Sequence, residues 1–331
     1  MLRLGGRPHY PIAVALVVAA AAAYLLTDLA GTNLLLSLLH RLDPVWLPVC
    51  FGGEVLAYLG YVLAARDMAR VDGGPRLSLM LTTKTVVAGF GVFAATHASG
   101  GFAVDYWTLR RAGLRKDEAM ARVLGLGALE YAALAPAALV AALVLLFEGS
   151  RIQQALTLPW LAVLPGFALA AWASAPCRRE RFARLASRGF FCRSISHAVA
   201  GVAMLRALAF SPRRHVAGIV GVALYWYGDI VCLWAALHVF YAHTPPIAQL
   251  LVGYATGYAL TRRTLPLGGA GVVESLLPFA LGWVAIQRAP AVLAVAFYRA
   301  VNLWLPLLPA LAGIPQLRRL ERGSLRRTAR A

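Results

Sequence analysis

The chain has 331 residues, of which 60% are hydrophobic and only 14% are charged. A soluble domain of this length needs far more polar surface around its core, so almost none of the chain can be a soluble domain. The net charge of +18 does not indicate nucleic-acid binding, because the basic residues cluster in loops and a tail between apolar blocks.

Long apolar blocks predict membrane-spanning helices, since about 20 helical residues cross a hydrocarbon layer of about 30 Å. In chain order, the strong spans are predicted at 11–29, 45–65, 121–147, 157–175, 216–241 and 290–313. The weaker blocks at 79–98, 247–260 and 272–286 fit half-helices or re-entrant segments better than full spans. The predicted fold is an all-α polytopic membrane protein with about six to eight transmembrane helices plus re-entrant half-helices.

The basic residues also predict the orientation of the chain. Nine of the 32 lie between Arg178 and Arg214, and six lie between Arg318 and Arg330. Positive loops stay inside, so the chain is expected in the cytoplasmic membrane with both termini in the cytoplasm. The anionic lipids of the inner leaflet are the expected partner of these loops and of the tail at 316–331. Segment 176–215 is predicted as a helix lying on the inner membrane surface, with a solvated basic loop as the alternative.

Two glycine pairs indicate an internal repeat. Gly100-Gly101 and Gly268-Gly269 are 168 residues apart, and each pair precedes an acidic residue and a long apolar block. On the predicted topology the pairs face opposite sides of the membrane, which is typical of an inverted repeat. A single membrane domain, 1–331, is therefore predicted to contain half-repeats at 10–150 and 151–315. Each half would have two spans, a re-entrant hairpin broken at the glycine pair, and a last span.

Ionisable residues inside the spans are the first candidates for function, because charges in hydrocarbon are costly. They are Glu54, Glu130, Asp229, Glu274 and Arg299. Asn302 follows Arg299 by one turn on the same helical face. The alternative interpretation is that buried acids and arginines pair and fix the packing of the helix bundle.

The string from Leu265 to Glu274 is the most distinctive segment. Proline and three glycines (Gly268, Gly269 and Gly271) interrupt the helix, and a new helix can begin near Gly271. Free N–H groups at such a helix start form an anion site, for which lipid phosphate is the expected ligand. The expected counter-charges are Arg299, Arg262 and Arg263. No metal or cofactor motif is present in the sequence, and no cofactor is expected.

The string also supports a family resemblance. Pro266, Gly268, Gly269, Gly271 and Glu274, followed by Tyr298-Arg299, match a Pro-x-Gly-Gly-x-Gly-x-x-Glu pattern with a later Tyr-Arg. This pattern resembles that of the lysylphosphatidylglycerol synthase transmembrane-region family, whose members are flippase-like membrane domains, and the likeness runs over roughly 10–315.

The first half departs from the family pattern. Where the family has Arg-x-Gly-Glu, this chain has Ser99-Gly100-Gly101-Phe102 and then Asp105, and Glu130-Tyr131 replaces a Glu-Arg pair.

The resemblance implies that the protein moves or presents a phospholipid, or an aminoacylated or glycosylated lipid, between leaflets. Glu274, Glu54 or Asp229 would pair with Arg299, or would hold a cationic headgroup. Lysyl transfer is not implied, because in the family a soluble domain after the membrane part performs it, and the protein is not expected to be an enzyme.

Two alternatives stay open. One is a membrane transferase acting on a lipid-linked substrate, with Asp105 or Glu274 as the base. The other is a non-catalytic partner that recruits a lipid or envelope synthase through the basic loop. Metal dependence would favour the transferase, and co-purification with a synthase would favour the partner.

Overall fold

The computed structural model describes residues 42–95, 99–148, 156–185, 189–240, 244–259, 272–284 and 286–306, together with residues 37, 40 and 154. The predicted first span, the glycine string at 265–271 and the basic tail lie outside these ranges.

Helix α1, Leu47–Arg70, follows a 3₁₀ turn at Pro44–Trp46. The side chain of Asp43 caps this turn by accepting a hydrogen bond from the N–H of Val45 at 3.1 Å. Beyond α1 the chain reverses through Asp72 (φ 51°) and Gly73 (φ 73°), a left-handed pair that ends the helix.

Helices α2, Leu79–Ala95, and α3, Ser99–Arg111, pack against each other as a hairpin. The hydroxyl oxygens of Thr85 and Thr108 are 3.2 Å apart between them. The predicted break at Gly100-Gly101 is wrong, because α3 contains both glycines. A glycine pair is tolerated within a helix at a modest cost, so it does not by itself end one.

Helix α4, Lys116–Phe147, is the longest described helix. Its start is capped by the carboxylate of Glu118, which accepts a hydrogen bond from the backbone N–H of Arg115 at 3.0 Å. Further along, a 3₁₀ turn at Leu158–Ala162 leads into α5, Val163–Ala173.

The basic segment forms two helices, α6 (Pro176–Leu185) and α7 (Phe190–Phe210), so the alternative of a solvated loop is wrong. The prediction that this segment lies on the inner membrane surface stays a prediction, but α7 also has a contact inside the bundle. It packs on α4, where a Cβ on Gly201 would lie 2.9 Å from the backbone nitrogen of Gly125, and its Met204 is buried. The two glycines allow this close approach.

The rest of the described chain forms α8, α9, α10 and α11. Helix α8 is Val216–Val239, and α9 is Ile247–Tyr254, continued by a π-helical segment at Ala255–Ala259. Helix α10 is Val272–Trp283. The predicted helix start near Gly271 lies at the edge of the described residues and stays a prediction. Helix α11 is Arg288–Arg299, continued by a second π-helical segment at Ala300–Trp304.

Within the described ranges, three helical stretches are long and apolar enough to cross a membrane: Pro44–Gly73, Lys116–Phe147 and Val216–Val239. A fourth span results if α5 and the start of α6, bent by 68°, are counted as one. The shorter apolar helices α2 and α10 have the lengths expected of re-entrant segments. The prediction of an all-α polytopic membrane protein is thereby confirmed, and the division into half-repeats stays a prediction.

Two buried side chains fix the Arg70 end of α1. The carboxylate of Asp67 accepts a hydrogen bond from the N–H of Gly218 at 3.0 Å and lies 3.3 Å from Nδ1 of His215, at the start of α8. The guanidinium of Arg122 donates to the carbonyl oxygens of Ala69 and Val71. The first contact places a negative charge at the positive end of the α8 dipole and so ties the two helices together.

Candidate functional site

The site begins with the crossing of α1 and α8. A Cβ on Gly53 would lie 2.7 Å from the carbonyl oxygen of Gly228, and a Cβ on Gly221 would lie 2.6 Å from that of Gly60. Numbers rise along one helix as they fall along the other, so the helices are antiparallel. Only glycine permits backbones this close, and small residues at helix contacts are typical of membrane bundles.

The crossing brings two acids together. Glu54 directly follows Gly53 and Asp229 directly follows Gly228, so the close contact of the glycines places both carboxylates at the same level. Both side chains are buried. Two acids predicted from separate spans therefore meet in one place.

Asn302 bridges these carboxylates. Its Nδ2 donates to Oδ1 of Asp229 at 2.8 Å and to Oε2 of Glu54 at 3.2 Å. Its Oδ1 accepts a hydrogen bond from the hydroxyl of Tyr258 at 2.9 Å. The side-chain amide thus links the π-helical segment after α11 to three others: α1, α8 and the π-helical segment after α9.

Three tyrosines complete the polar cluster. Tyr298 donates to Oδ1 of Asp229 at 2.8 Å, and Tyr254 donates to its Oδ2. The ring of Tyr258 lies 5.2 Å from that of Tyr254 and 5.5 Å from that of Tyr298, between centroids. Asp229 therefore accepts hydrogen bonds from two hydroxyls and one amide.

Arg299 and Glu274 form a buried ion pair beside this cluster. Nε of Arg299 donates to Oε1 of Glu274 at 2.8 Å, and both residues are buried. Glu274 lies in the first turn of α10, where the helix dipole favours a negative charge. The guanidinium carbon of Arg299 also lies 5.7 Å from the ring centroid of Tyr258, which connects the pair to the tyrosines.

Two cluster residues lie on π-helical segments. Tyr258 belongs to the segment after α9, and Asn302 belongs to the segment after α11. π-Helical turns are rare and are frequent at functional sites, because the extra residue redirects side chains. Here the hydrogen bond from Tyr258 to Asn302 joins the two segments directly.

We call these eight residues the polar cluster: Glu54, Asp229, Tyr254, Tyr258, Glu274, Tyr298, Arg299 and Asn302. Four of them, the three acids and the arginine, are residues predicted for the site from sequence.

The other predicted site residues fall elsewhere. Gly268, Gly269, Gly271, Arg262 and Arg263 lie outside the described residues. Asp105, on α3, lines a separate cavity of about 30 Å³ together with Thr85, Thr108 and Arg122. The structure therefore does not place Asp105 beside the polar cluster.

Tyr254 and Tyr258 are the tyrosines that sequence reasoning missed. They lie one turn apart on a segment whose Gly253 and Gly257 have the Gly-x-x-x-Gly spacing typical of helix packing. That packing is present too, since a Cβ on Gly257 would lie 2.8 Å from Cα of Leu277. A repeat of tyrosines at one-turn spacing in an apolar block is the signal that could have indicated a polar face.

The family model described as the lysylphosphatidylglycerol synthase TM region matches residues 12–310. No curated protein matches the chain.

Proposed function

The chain belongs to the lysylphosphatidylglycerol synthase transmembrane-region family, and on this basis we propose that it moves or presents a lipid headgroup between the leaflets of the cytoplasmic membrane. Membership indicates a membrane domain associated with lipid handling. The observation that carries the finer proposal is the polar cluster, which places three acids and an arginine inside a bundle of apolar helices. Polar groups at this depth are costly and mark the paths of polar substrates.

The cluster offers partners of both charges to a headgroup. A lipid phosphate would compete with Glu274 for Arg299, and it would also meet the positive end of the α10 dipole. A headgroup amine would compete with the amide of Asn302 for Glu54 and Asp229. A zwitterionic or aminoacylated phospholipid presents both groups, so its chemistry fits this arrangement best.

Movement between leaflets would use the two halves of the chain as an inverted repeat. Gly53 and Gly221 are 168 residues apart, as are Gly60 and Gly228. Gly53 contacts Gly228, which is the counterpart of Gly60, and Gly60 contacts Gly221, which is the counterpart of Gly53. A two-fold axis through the crossing would produce this pattern. Helices α2 and α9 also begin 168 residues apart. Rocking of one half against the other about this crossing would expose the cluster to alternate sides.

The test is exchange of fluorescent phospholipids between leaflets in proteoliposomes, with anionic, zwitterionic and aminoacylated lipids compared. Wild type is measured beside Glu274→Gln and Arg299→Gln, which break the buried ion pair. The matched controls are Arg115→Gln and Glu118→Gln, which break an exposed pair of 2.9 Å at the start of α4. All variants are first checked for folding by circular dichroism and by elution as a single species.

We expect exchange by wild type and by both controls, with the two buried-pair variants falling to the rate of protein-free vesicles. If folded wild-type protein exchanges none of these lipids, movement between leaflets is ruled out for them. Purification with a synthase and assays of transferase activity would then be the next experiments.

A further inference from the structure

A lateral groove lies beside the polar cluster. It has a volume of about 470 Å³ and runs between α1, α2 and the chain that follows the second π-helical segment. Its walls include Val55 and Leu59 from α1, Val87 from α2 and Leu305 from the end of the described chain. Cavities of this size hold ligands as large as a typical drug molecule.

The groove opens toward the hydrocarbon of the membrane. The wall residues Val55 and Leu59 are 59% and 53% exposed on the face of α1, one turn apart. In a membrane-spanning helix this face meets lipid chains instead of water. A partner that enters from this direction is therefore apolar along its length.

The length of the groove matches one leaflet. On α1 it extends from Phe51 to Val62, which at about 1.5 Å per residue is about 16 Å. The hydrocarbon layer is about 30 Å thick, so one leaflet accounts for about 15 Å. A single acyl chain of a membrane lipid has the dimension that fits.

One carboxylate connects the groove to the polar cluster. Glu54 lines the groove, and the same side chain accepts the hydrogen bond from Asn302. Glu54 is the acidic member of the groove lining, whose other members are apolar apart from Tyr58 and Thr83. A molecule lying in the groove with its polar end at Glu54 would place that end at the cluster.

We propose that this groove binds one acyl chain of the lipid whose headgroup the polar cluster holds, and that the lipid enters sideways between α1 and α2. The inference rests on the proposed function, because it takes the cluster as the headgroup site. It adds a binding site for the acyl chain and a route by which the lipid enters. It also requires that the polar end of the lipid donate a hydrogen bond to Glu54.

The test uses proteoliposomes that contain a phospholipid with a photoreactive diazirine in its acyl chain. After irradiation, mass spectrometry maps the labelled residues on the wild-type protein. Val87→Trp fills the groove from a half-buried position, and Val55→Trp fills it from an exposed one should the first variant fail to fold. The control is Val220→Trp, which adds the same ring to an exposed valine on α8, outside the groove.

We expect label concentrated on the walls of α1 and α2, reduced severalfold by the groove variants and unchanged by the control. Label that is spread evenly over all lipid-facing helices and does not change in Val55→Trp would overturn the proposal that the groove binds an acyl chain. Cross-linking of the thiol in Val55→Cys to the predicted span at 11–29 would also overturn the proposal, since the polypeptide itself would then occupy the groove.

Leaflet exchange measured on the same vesicles separates the two claims. Exchange with evenly spread label rejects the groove and keeps the proposed function. Concentrated label without exchange keeps the acyl-chain site and rejects movement between leaflets.

Discussion

Gly53 of α1 lies directly against Gly228 of α8, and a Cβ on Gly53 would be 2.7 Å from the carbonyl oxygen of its partner. The helix pair that carries Glu54 and Asp229 thus has no room for one extra methyl group at this point.

The first prediction follows from this contact. Gly53→Ala should destabilise the protein by about 1–3 kcal/mol, because the backbones must separate to accept the methyl group. Gly52→Ala is the matched control, since nothing lies within 4 Å of a Cβ on Gly52. The control should gain up to about 1 kcal/mol of helix propensity. Thermal unfolding in detergent measures both, and equal melting temperatures would contradict the crossing.

The second prediction separates packing from function at the buried ion pair. Glu274→Met or Arg299→Met alone leaves one buried charge without its present partner, at a cost of about 3–5 kcal/mol. The double variant should recover most of the stability, because two apolar side chains of similar size replace the pair. It should not recover lipid exchange if the pair binds the headgroup. Recovery of both in the double variant would assign the pair to packing alone.

The third prediction concerns the contact between the ends of α1 and α8. Asp67→Ala removes the acceptor for the N–H of Gly218 and the partner of His215, at an expected cost of about 1–3 kcal/mol. Asp117→Ala is the control, because Asp117 forms an exposed pair with His197 at 3.0 Å and such pairs contribute about 1 kcal/mol or less. Thermal unfolding compares them, and an equal loss in both would show that Asp67 does not cap α8.

A fourth prediction tests the orientation of the chain. Cys177 is exposed on α6, in the basic segment predicted to face the cytoplasm. In a Cys192→Ser background, a membrane-impermeant maleimide should label Cys177 only after cells are permeabilised. Val45 lies just before α1, at the end away from Arg70, and Val45→Cys should be labelled in intact cells. The reverse labelling result would show that the chain has the opposite orientation in the membrane.

The fifth prediction uses the cysteines at the helix crossing. The sulfur atoms of Cys50 and Cys232 are 3.1 Å apart and buried between α1 and α8. Iodine, which can take up the two electrons released by the thiols, should oxidise them to an intramolecular disulfide. The measurement is maleimide labelling after denaturation, in which Cys50 and Cys232 should react only without prior oxidation. Cys50→Ser should abolish the effect, and failure of wild type to cross-link would contradict the packing of the two helices.

The sequence was sufficient to identify the charged members of the site but not their partners. Glu54, Asp229, Glu274 and Arg299 stand out because each is an ionisable residue in an apolar block. Which acid pairs with Arg299 depends on how α10 and α11 pack, and no spacing along the chain encodes that. Tyr254 and Tyr258 were missed for a related reason, since a tyrosine in an apolar block looks the same whether its hydroxyl meets a headgroup, water or an aspartate.

Features that depend on neighbouring residues in the sequence were predictable, whereas contacts between distant residues were not. The helix at 272–283 was predictable as a short apolar block after a proline- and glycine-rich string, because such residues interrupt a helix locally. The packing of α7 on α4 was not predictable, because the close contact of Gly125 and Gly201 joins residues that are far apart in the sequence. Glycine is common throughout the chain, so its positions alone do not indicate contacts.

The crossing of α1 and α8 has two similar glycine contacts, Gly53 with Gly228 and Gly60 with Gly221, but the side chains next to them differ. At the 168-residue spacing, the counterpart of Glu54 is Val222 and the counterpart of Asp229 is Tyr61. One level of the crossing therefore carries two carboxylates, and the other carries a valine and a tyrosine whose ring lies 5.4 Å from that of Tyr225. If the proposed function holds, a headgroup that moves along these two helices meets hydrogen-bonding partners at one end of the crossing and aromatic rings at the other. Movement in the two directions would then be chemically unequal, even though the glycine contacts of the crossing are nearly symmetric.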